Sequence, residues 1–124
     1  MTDQPAHQND NRELARMLAI LGEPNRLFLL DSIINGIQCN CELGKSLSLS
    51  PNLVSHHLSV LQEAGIINAA RDKNDARWIY YSLNEESSER IKELFNIFFD
   101  KKRIKPCSSV CGPDGHQENY CKND

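Results

Sequence analysis

The five cysteines of the chain fall into two groups by spacing. Cys39 and Cys41 make a C-x-C pair in "IQCNCEL", whereas Cys107, Cys111 and Cys121 lie in the closing stretch "PCSSVCGPDGHQENYCKND". Thiolates are soft ligands suited to thiophilic ions, and C-x-C is not the C-x2-C spacing of a structural zinc site. The opening stretch "MTDQPAHQNDNRE" has neither a basic start nor an apolar block, so it does not read as a secretory signal and a cytoplasmic protein is expected. An odd number of cysteines in such a protein points to metal, metalloid or redox chemistry before structural disulfides. No apolar run has the length that crosses a bilayer, and no membrane partner is expected.

A second constellation sits in "SLSPNLVSHHLSVL". On a helix begun at Pro51, Leu53, Val54, Leu58 and Leu61 fall on the inward side, while Asn52, Ser55, His56 and Ser59 fall together on the opposite one. Short hydroxyl and amide side chains can approach base edges in a major groove, and the start of such a helix, with Ser50 as its cap, favours phosphate. Downstream, Arg71, Lys73 and Arg77 are placed to meet backbone phosphates, which position a protein on DNA without reading sequence. His57 lies nearer the apolar side, so a buried or boundary histidine with a backbone partner is expected rather than a ligand or base reader. Trp78, Tyr80 and Tyr81 are expected to pack against the core, because a strand this close must bury one face. The formal net charge of −3 argues against nonspecific coating of nucleic acid but leaves room for a basic face. No His/Ser/Asp or paired-carboxylate constellation is visible, so an enzyme is not expected.

The elements that must hold these residues can be read from periodicity. With 124 residues the chain has room for one compact domain plus tails. Residues 1–10 are polar and contain Pro5, and a disordered tail is expected there. Leu14, Met17, Leu18 and Leu21 then form a helix stripe ending at Gly22. "EPNRLFLLDSIING" makes a second helix, with Phe28, Leu30, Ile33 and Ile34 as core candidates and Gly36 as its stop. A short third helix is expected from Cys39 or Cys41 to Leu47. A fourth runs from Pro51 to about Ala64, before Gly65, and the pair makes a helix-turn-helix. Two strands, 66–71 and 77–83, are joined by a polar turn carrying Lys73, Asn74 and Asp75, which gives a wing. Asn84 or Ser87 caps a last helix whose stripe is Ile91, Leu94, Phe95 and Phe98. Ile97 and Phe99 lie off that stripe, and a helix apolar on more than one face implies a dimer partner. The expected fold is mainly α with a small β-hairpin: a winged helix-turn-helix over 11–104, dimeric through its N- and C-terminal helices, followed by a cysteine-rich tail over 105–124.

"CNCELGKSLSLSPNLVSHHLSVLQEAGII" followed by "RWIYYSL" resembles the ArsR/SmtB family of small winged-helix repressors. That family's usual pattern is E-L-C-V-C-D-L, then L-G-x-S-x-x-x-V-S-x-H-L-x-x-L-x-x-A-G-L, then R-x-G-R-x-x-Y-Y-x-L. "LGEPNRLFLL" is similar to its L-x-D-P-x-R-x-x-I-L. The departures are Ser48 where the turn often has Gly, Ile37 and Gln38 in place of Glu-Leu, and a longer wing turn, "DKNDA". The resemblance implies a homodimeric repressor that binds palindromic double-stranded operator DNA. It also matches Cys39 and Cys41 to the C-x-C of the arsenic and cadmium/lead sensing branch, where inducer binding lowers DNA affinity; arsenite or antimonite is expected first, cadmium or lead second. In a regular helix, positions i and i+2 point about 200° apart, so ligation by both thiols is expected to unwind the start of helix three. A third thiolate is expected from Cys107 or Cys111, with Cys121 behind them. The family's other metal site, on the last helix, has Ser87, Phe98 and Lys101 at its matching places, and these cannot supply it. Two alternatives stay open. Cys107, Cys111, His116 and Cys121 form C-x3-C-x4-H-x4-C, which resembles a zinc knuckle with one extra residue and could bind zinc separately. Alternatively, Cys39 and Cys41, or a tail pair, act as a disulfide or persulfide switch.

Overall fold

In the computed structural model, which describes residues 5–106, helix α1 spans Pro5–Leu21, α2 Pro24–Ile34 and α3 Pro51–Glu63. Strands β1 (Ile67–Arg71) and β2 (Ile79–Leu83) follow, then α4 (Glu85–Phe98) and a 3-10 turn at Lys101–Arg103. Each cap follows from a side chain placed to take the free N–H groups of a helix start. Glu23 accepts from Arg26 N ahead of Pro24, Ser50 accepts from Leu53 N ahead of Pro51, and Asn84 accepts from Glu86 N and Ser87 N. Glu85 and Glu86 in the first turn of α4 add favourable charge at the positive end of its dipole.

The core gathers one face of every element. Leu29, Leu58, Leu61, Ile66, Ile67 and Leu94 are its most deeply buried side chains, with Met17, Leu30, Ile33, Leu43, Val54 and Tyr81 around them. Helix α1 packs on α4, α2 on α3 and on β2, and α3 on β1. The hairpin is antiparallel, with Ile67 opposite Leu83 and Arg71 opposite Ile79.

Several boundaries differ from the sequence expectation for identifiable reasons. Helix α1 begins at Pro5 rather than at Asn11. Its polar first turns have a partner across the fold, because Arg90 of α4 pairs with Asp10 at 3.1 Å and Glu13 at 2.8 Å. In α2 the run "LFLL" offers consecutive apolar residues, and packing selects Leu29, Leu30 and Ile33. Phe28 and Ile34, expected in the core, are 51% and 55% exposed. On α3, Leu53 is likewise turned outward while His57 takes the inward place.

The largest correction concerns the expected third helix. Residues 39–48 form a chain of tight turns instead, with Glu42 N bonded to Cys39 O at 3.0 Å, Leu47 N to Gly44 O at 3.0 Å and Ser48 N to Lys45 O at 3.2 Å. Two residues within it have left-handed backbone, Gly44 at φ +89° and Ser48 at φ +56°, and a right-handed helix cannot pass through them. Gly44 is required on a second count, because a Cβ there would collide with the Val54 side chain. The turn therefore seats directly on the buried face of α3.

Candidate nucleic-acid interface and thiol site

Asn52, Ser55, His56 and Ser59 are all exposed on α3, with Ser50 capping it at their head. The helix presents to solvent a polar face of mostly short side chains, with His56 in its first half and Glu63 at its end. His57, one residue on, is turned about 100° round the helix and is buried against the core. Its Nδ1 lies 3.3 Å from Arg26 Nη1 and its Nε2 lies 3.9 Å from Glu23 Oε1. A guanidinium only donates, so Nδ1 accepts and the ring proton sits on Nε2, toward the carboxylate. The expectation of a buried histidine holds, with side-chain partners rather than a backbone one. Arg26 also donates through Nε to Ile20 O at 2.8 Å. One guanidinium thus ties α3 to the end of α1 and the start of α2.

The wing loop braces itself. Asp72 Oδ2 accepts from Asn74 N at 2.9 Å and Asp75 N at 3.0 Å, and Arg71 Nη1 donates to Ala76 O at 2.6 Å. Arg71, Lys73 and Arg77 are all exposed. They are not equally available, however. Arg77 forks onto Asp75, Nη2 to Oδ2 at 2.8 Å and Nε to Oδ1 at 3.0 Å, and these bonds hold the Asp75 carboxyl below its usual range and the guanidinium above. Lys73 has no hydrogen-bond or ion-pair partner among the described residues. The aromatic side chains divide by the two-residue period of a strand. Tyr81 faces the core, as expected, and burial raises its phenol pKa. Trp78 and Tyr80, also expected to pack inward, are about two-fifths exposed, and Tyr80 Oη donates to Asp72 Oδ1 at 3.4 Å.

Cys39 and Cys41 lie together at the start of the turn. Their Cα atoms are 5.3 Å apart, their sulfurs are paired as a disulfide, and Cys41 N donates to Cys39 Sγ at 3.4 Å. Positions i and i+2 point about 200° apart only on a helix; on this turn no unwinding is needed to bring the two sulfurs to one place. The reason is a pairing that sequence reading missed. Cys39 bridges Tyr80 in antiparallel fashion, with Tyr81 N donating to Gln38 O at 2.9 Å and Asn40 N to Ile79 O at 3.2 Å. Asn40 Oδ1 also accepts from Ile79 N at 3.4 Å. Residues 38–40 are thereby held along the outer edge of β2 by a single antiparallel bridge. The only signal for it was the β-branched Ile37 after the stop at Gly36, too brief to register as a strand. Cys107, Cys111, His116 and Cys121, with the third-ligand and zinc-knuckle expectations placed on them, lie outside the described residues. Among the described residues no group of three Cys, His, Asp or Glu side chains is gathered as for a metal ion, and no helix is long and apolar enough to cross a membrane.

Between the turn, α3 and β2 lies a cavity of about 370 Å3. Leu43, Leu49, Val54, Leu58, Ile79 and Tyr81 wall it, and Cys41, Asn40, Lys45 and Ser55 also border it. A second hollow, of about 330 Å3, is formed by Asn40, Cys41, Arg77 and Trp78. Cys41 borders both, so chemistry at the thiol pair adjoins the recognition helix on one side and the wing on the other.

A family model described as "Bacterial regulatory protein, arsR family" matches residues 23–69, the stretch from the start of α2 to β1. A biofilm growth-associated repressor of Agrobacterium fabrum is 35% identical over 76% of this chain and 79% of its own. An arsenical resistance operon repressor of Staphylococcus aureus is 29% identical over 83% of this chain and 96% of its own. Among solved structures, NolR from Sinorhizobium fredii superposes with a TM-score of 0.61 at 26% identity, covering 80% of this chain and 96% of NolR.

Proposed function

Because the chain belongs to the ArsR family of DNA-binding transcriptional repressors, and not to a family of enzymes, we propose that a thiophilic ion bound by Cys39 and Cys41 releases it from its operator. Arsenite or antimonite is the first candidate, cadmium or lead the second. The reading is supported above all by the meeting of the two sulfurs on a turn that touches both DNA-binding elements. The name of the staphylococcal relative, an arsenical resistance operon repressor, favours the metalloid.

Asn52, Ser55, His56 and Ser59 reach base edges in the major groove, with Ser50 at the phosphate next to the helix start. Lys73 and Arg71 hold the flanking backbone, and Arg77 joins them once it exchanges Asp75 for a phosphate. A cytoplasmic homodimer on a palindromic operator is the working assembly. Its contact surface is the apolar side of α1 and α4 left open in one chain, where Leu18, Phe98 and Phe99 are exposed.

Bound as a soft acid, the ion would draw the thiols into the thiolate form. The chain supplies the rest. Residues 38–40 are hydrogen-bonded along β2, so a change in backbone at Cys39 to Cys41 shifts Ile79 and the wing that carries Arg77 and Trp78. A third thiolate would come from Cys107 or Cys111.

A second reading has its own observation in its favour: the two cysteines are paired as a disulfide, which a reductant opens to two thiols and an oxidant closes again, giving a redox or persulfide switch. Fluorescence anisotropy of labelled upstream DNA, with reduced protein, separates the two. Release by arsenite or cadmium that disappears in the double variant Cys39→Ser, Cys41→Ser supports the ion sensor. Release by an oxidant or persulfide alone replaces it with the redox switch. Emission of Trp78, the single tryptophan, gives an independent readout and should shift on ligation if the wing moves.

A further inference from the structure

Resting on the reading of α3 as the groove-facing helix, we propose that Gln62, Arg71 and Tyr81 form a seat for one phosphate of the operator backbone, with the Tyr81 hydroxyl donating to it.

The seat lies on the seam between α3 and the hairpin. Ser55, Ser59 and Gln62 follow one another at i, i+4 and i+7, so they form one row along the helix, and all three are exposed. That row is the margin of the outward face nearest the hairpin. Ser55 borders the cavity walled by Ile79 and Tyr81, and Gln62 borders a further hollow of about 170 Å3 with Ala69, Ala70, Arg71, Ile79 and Tyr81. Ala69 stands opposite Tyr81 in the hairpin, and its single methyl leaves the space beside the ring unfilled. A duplex that takes α3 into its major groove and meets the wing alongside must run one backbone across this seam.

The lining selects an anion, because Arg71 is its only charged residue. Arg71 Nη1 is held by Ala76 O, which fixes the guanidinium at the rim, while its other nitrogens have no partner among the described residues. Tyr81 is only 8% exposed, yet its hydroxyl has no hydrogen-bond partner among those residues. None of their side-chain N or O atoms is both fully buried and unpaired, so the hydroxyl opens onto a hollow. Burial raises the phenol pKa and the charge of Arg71 lowers it, which sets the hydroxyl toward Arg71. Such a hydroxyl is desolvated without return unless an acceptor from outside completes it. A phosphate oxygen is that acceptor, and the guanidinium and the Gln62 amide supply further donors to the same group. Packing alone does not call for the hydroxyl, since a phenylalanine ring would fill the same place in the core.

The test uses the full reduced chain and a labelled fragment of its own upstream DNA, with the variants Tyr81→Phe, Gln62→Ala and Arg71→Ala. Tyr81→Phe should keep the urea midpoint of the parent and weaken binding about tenfold, the worth of one hydrogen bond to a charged oxygen. No charge is removed, so the slope of log affinity against log salt should not change, whereas Arg71→Ala should make it shallower by about 0.9. Ethylation interference neutralises the phosphates one at a time. It should reveal one position per half-site where ethylation weakens the parent far more than Tyr81→Phe, and Gln62→Ala should lose sensitivity at that same position. Unchanged affinity in Tyr81→Phe overturns the proposal, and so does weakened binding with the parent's ethylation pattern intact; either leaves the groove-facing reading of α3 standing. A parent chain that binds this fragment no better than unrelated DNA sinks both.

Discussion

His56 and His57 are adjacent in sequence, yet the fold gives them opposite work, and replacing each in turn tests the placement of α3. His57 is 5% exposed and supplies the acceptor that Arg26 Nη1 meets at 3.3 Å. His57→Leu preserves bulk but leaves a part-buried cationic donor without its partner, at a cost of about 1–3 kcal/mol. For a domain of this size that lowers the melting temperature by on the order of 10 °C. Arg26 retains its bond to Ile20 O, so the loss should stay below the upper end of that range. A double-mutant cycle with Arg26→Met should return a coupling of about 0.5–1.5 kcal/mol in urea melts. At a temperature where both proteins are fully folded, His57→Leu should change operator affinity by less than about threefold, because its ring faces away from the groove side of α3. His56→Ala should do the reverse: stability within about 0.5 kcal/mol of the parent, as for a surface position, and affinity weakened by about 1 kcal/mol or more. Were His57→Leu to weaken DNA binding at unchanged stability while His56→Ala did nothing, the rotation of α3 described here would be wrong.

Other consequences can be checked as directly. Ser48 sits at φ +56° with nothing but its side chain opposing that conformation, so Ser48→Gly should stabilise the fold by about 1 kcal/mol in chemical denaturation. Asp75→Asn should free Arg77 and tighten operator binding, with the slope of log affinity against log salt steeper by up to about 0.9, and Arg77→Ala should make the slope shallower. Arg90 holds the Glu13 carboxyl below its usual range through a hydrogen bond, so the contribution of that pair is intact at neutral pH and is lost as pH falls through the lowered value. Glu13→Gln should therefore flatten the acid limb of a stability profile, and by no more than about 1 kcal/mol, because the pair is partly solvated.

The helices and the wing were legible because their signals are local and repeated: a cap, a proline in the first turn, an apolar stripe, a glycine stop. Ser50 and Asn84 cap as the sequence implied, and the polar face of α3 stands outward as its spacing required. What escaped was decided by contacts across the fold. Nothing in "RLFLLDSII" marks Leu29 as the deepest residue and Phe28 as an open one, since both are apolar and adjacent; only the seat of α2 on α3 and β2 chooses between them. Arg26 and His57 are far apart in the chain and carry no shared pattern, so their contact was invisible as well.

The misjudged third helix changes the mechanism as well as the secondary structure. A helix would have kept the two sulfurs apart and made its own unwinding the source of coupling, with the recognition helix as first recipient. A turn anchored by Cys39 to Tyr80 puts the sulfurs together at rest and directs the disturbance first to β2. On the proposed sensor reading, the allosteric term would come not from breaking a helix but from the few hydrogen bonds that 38–40 share with Ile79 and Tyr81. Those bonds are weak individually, about 1 kcal/mol each, and together they match the ~1–3 kcal/mol over which allosteric coupling usually operates. The family resemblance implied that Cys39 and Cys41 couple to DNA; the edge pairing, which no residue pattern announced, is the route that coupling would take on the proposed reading.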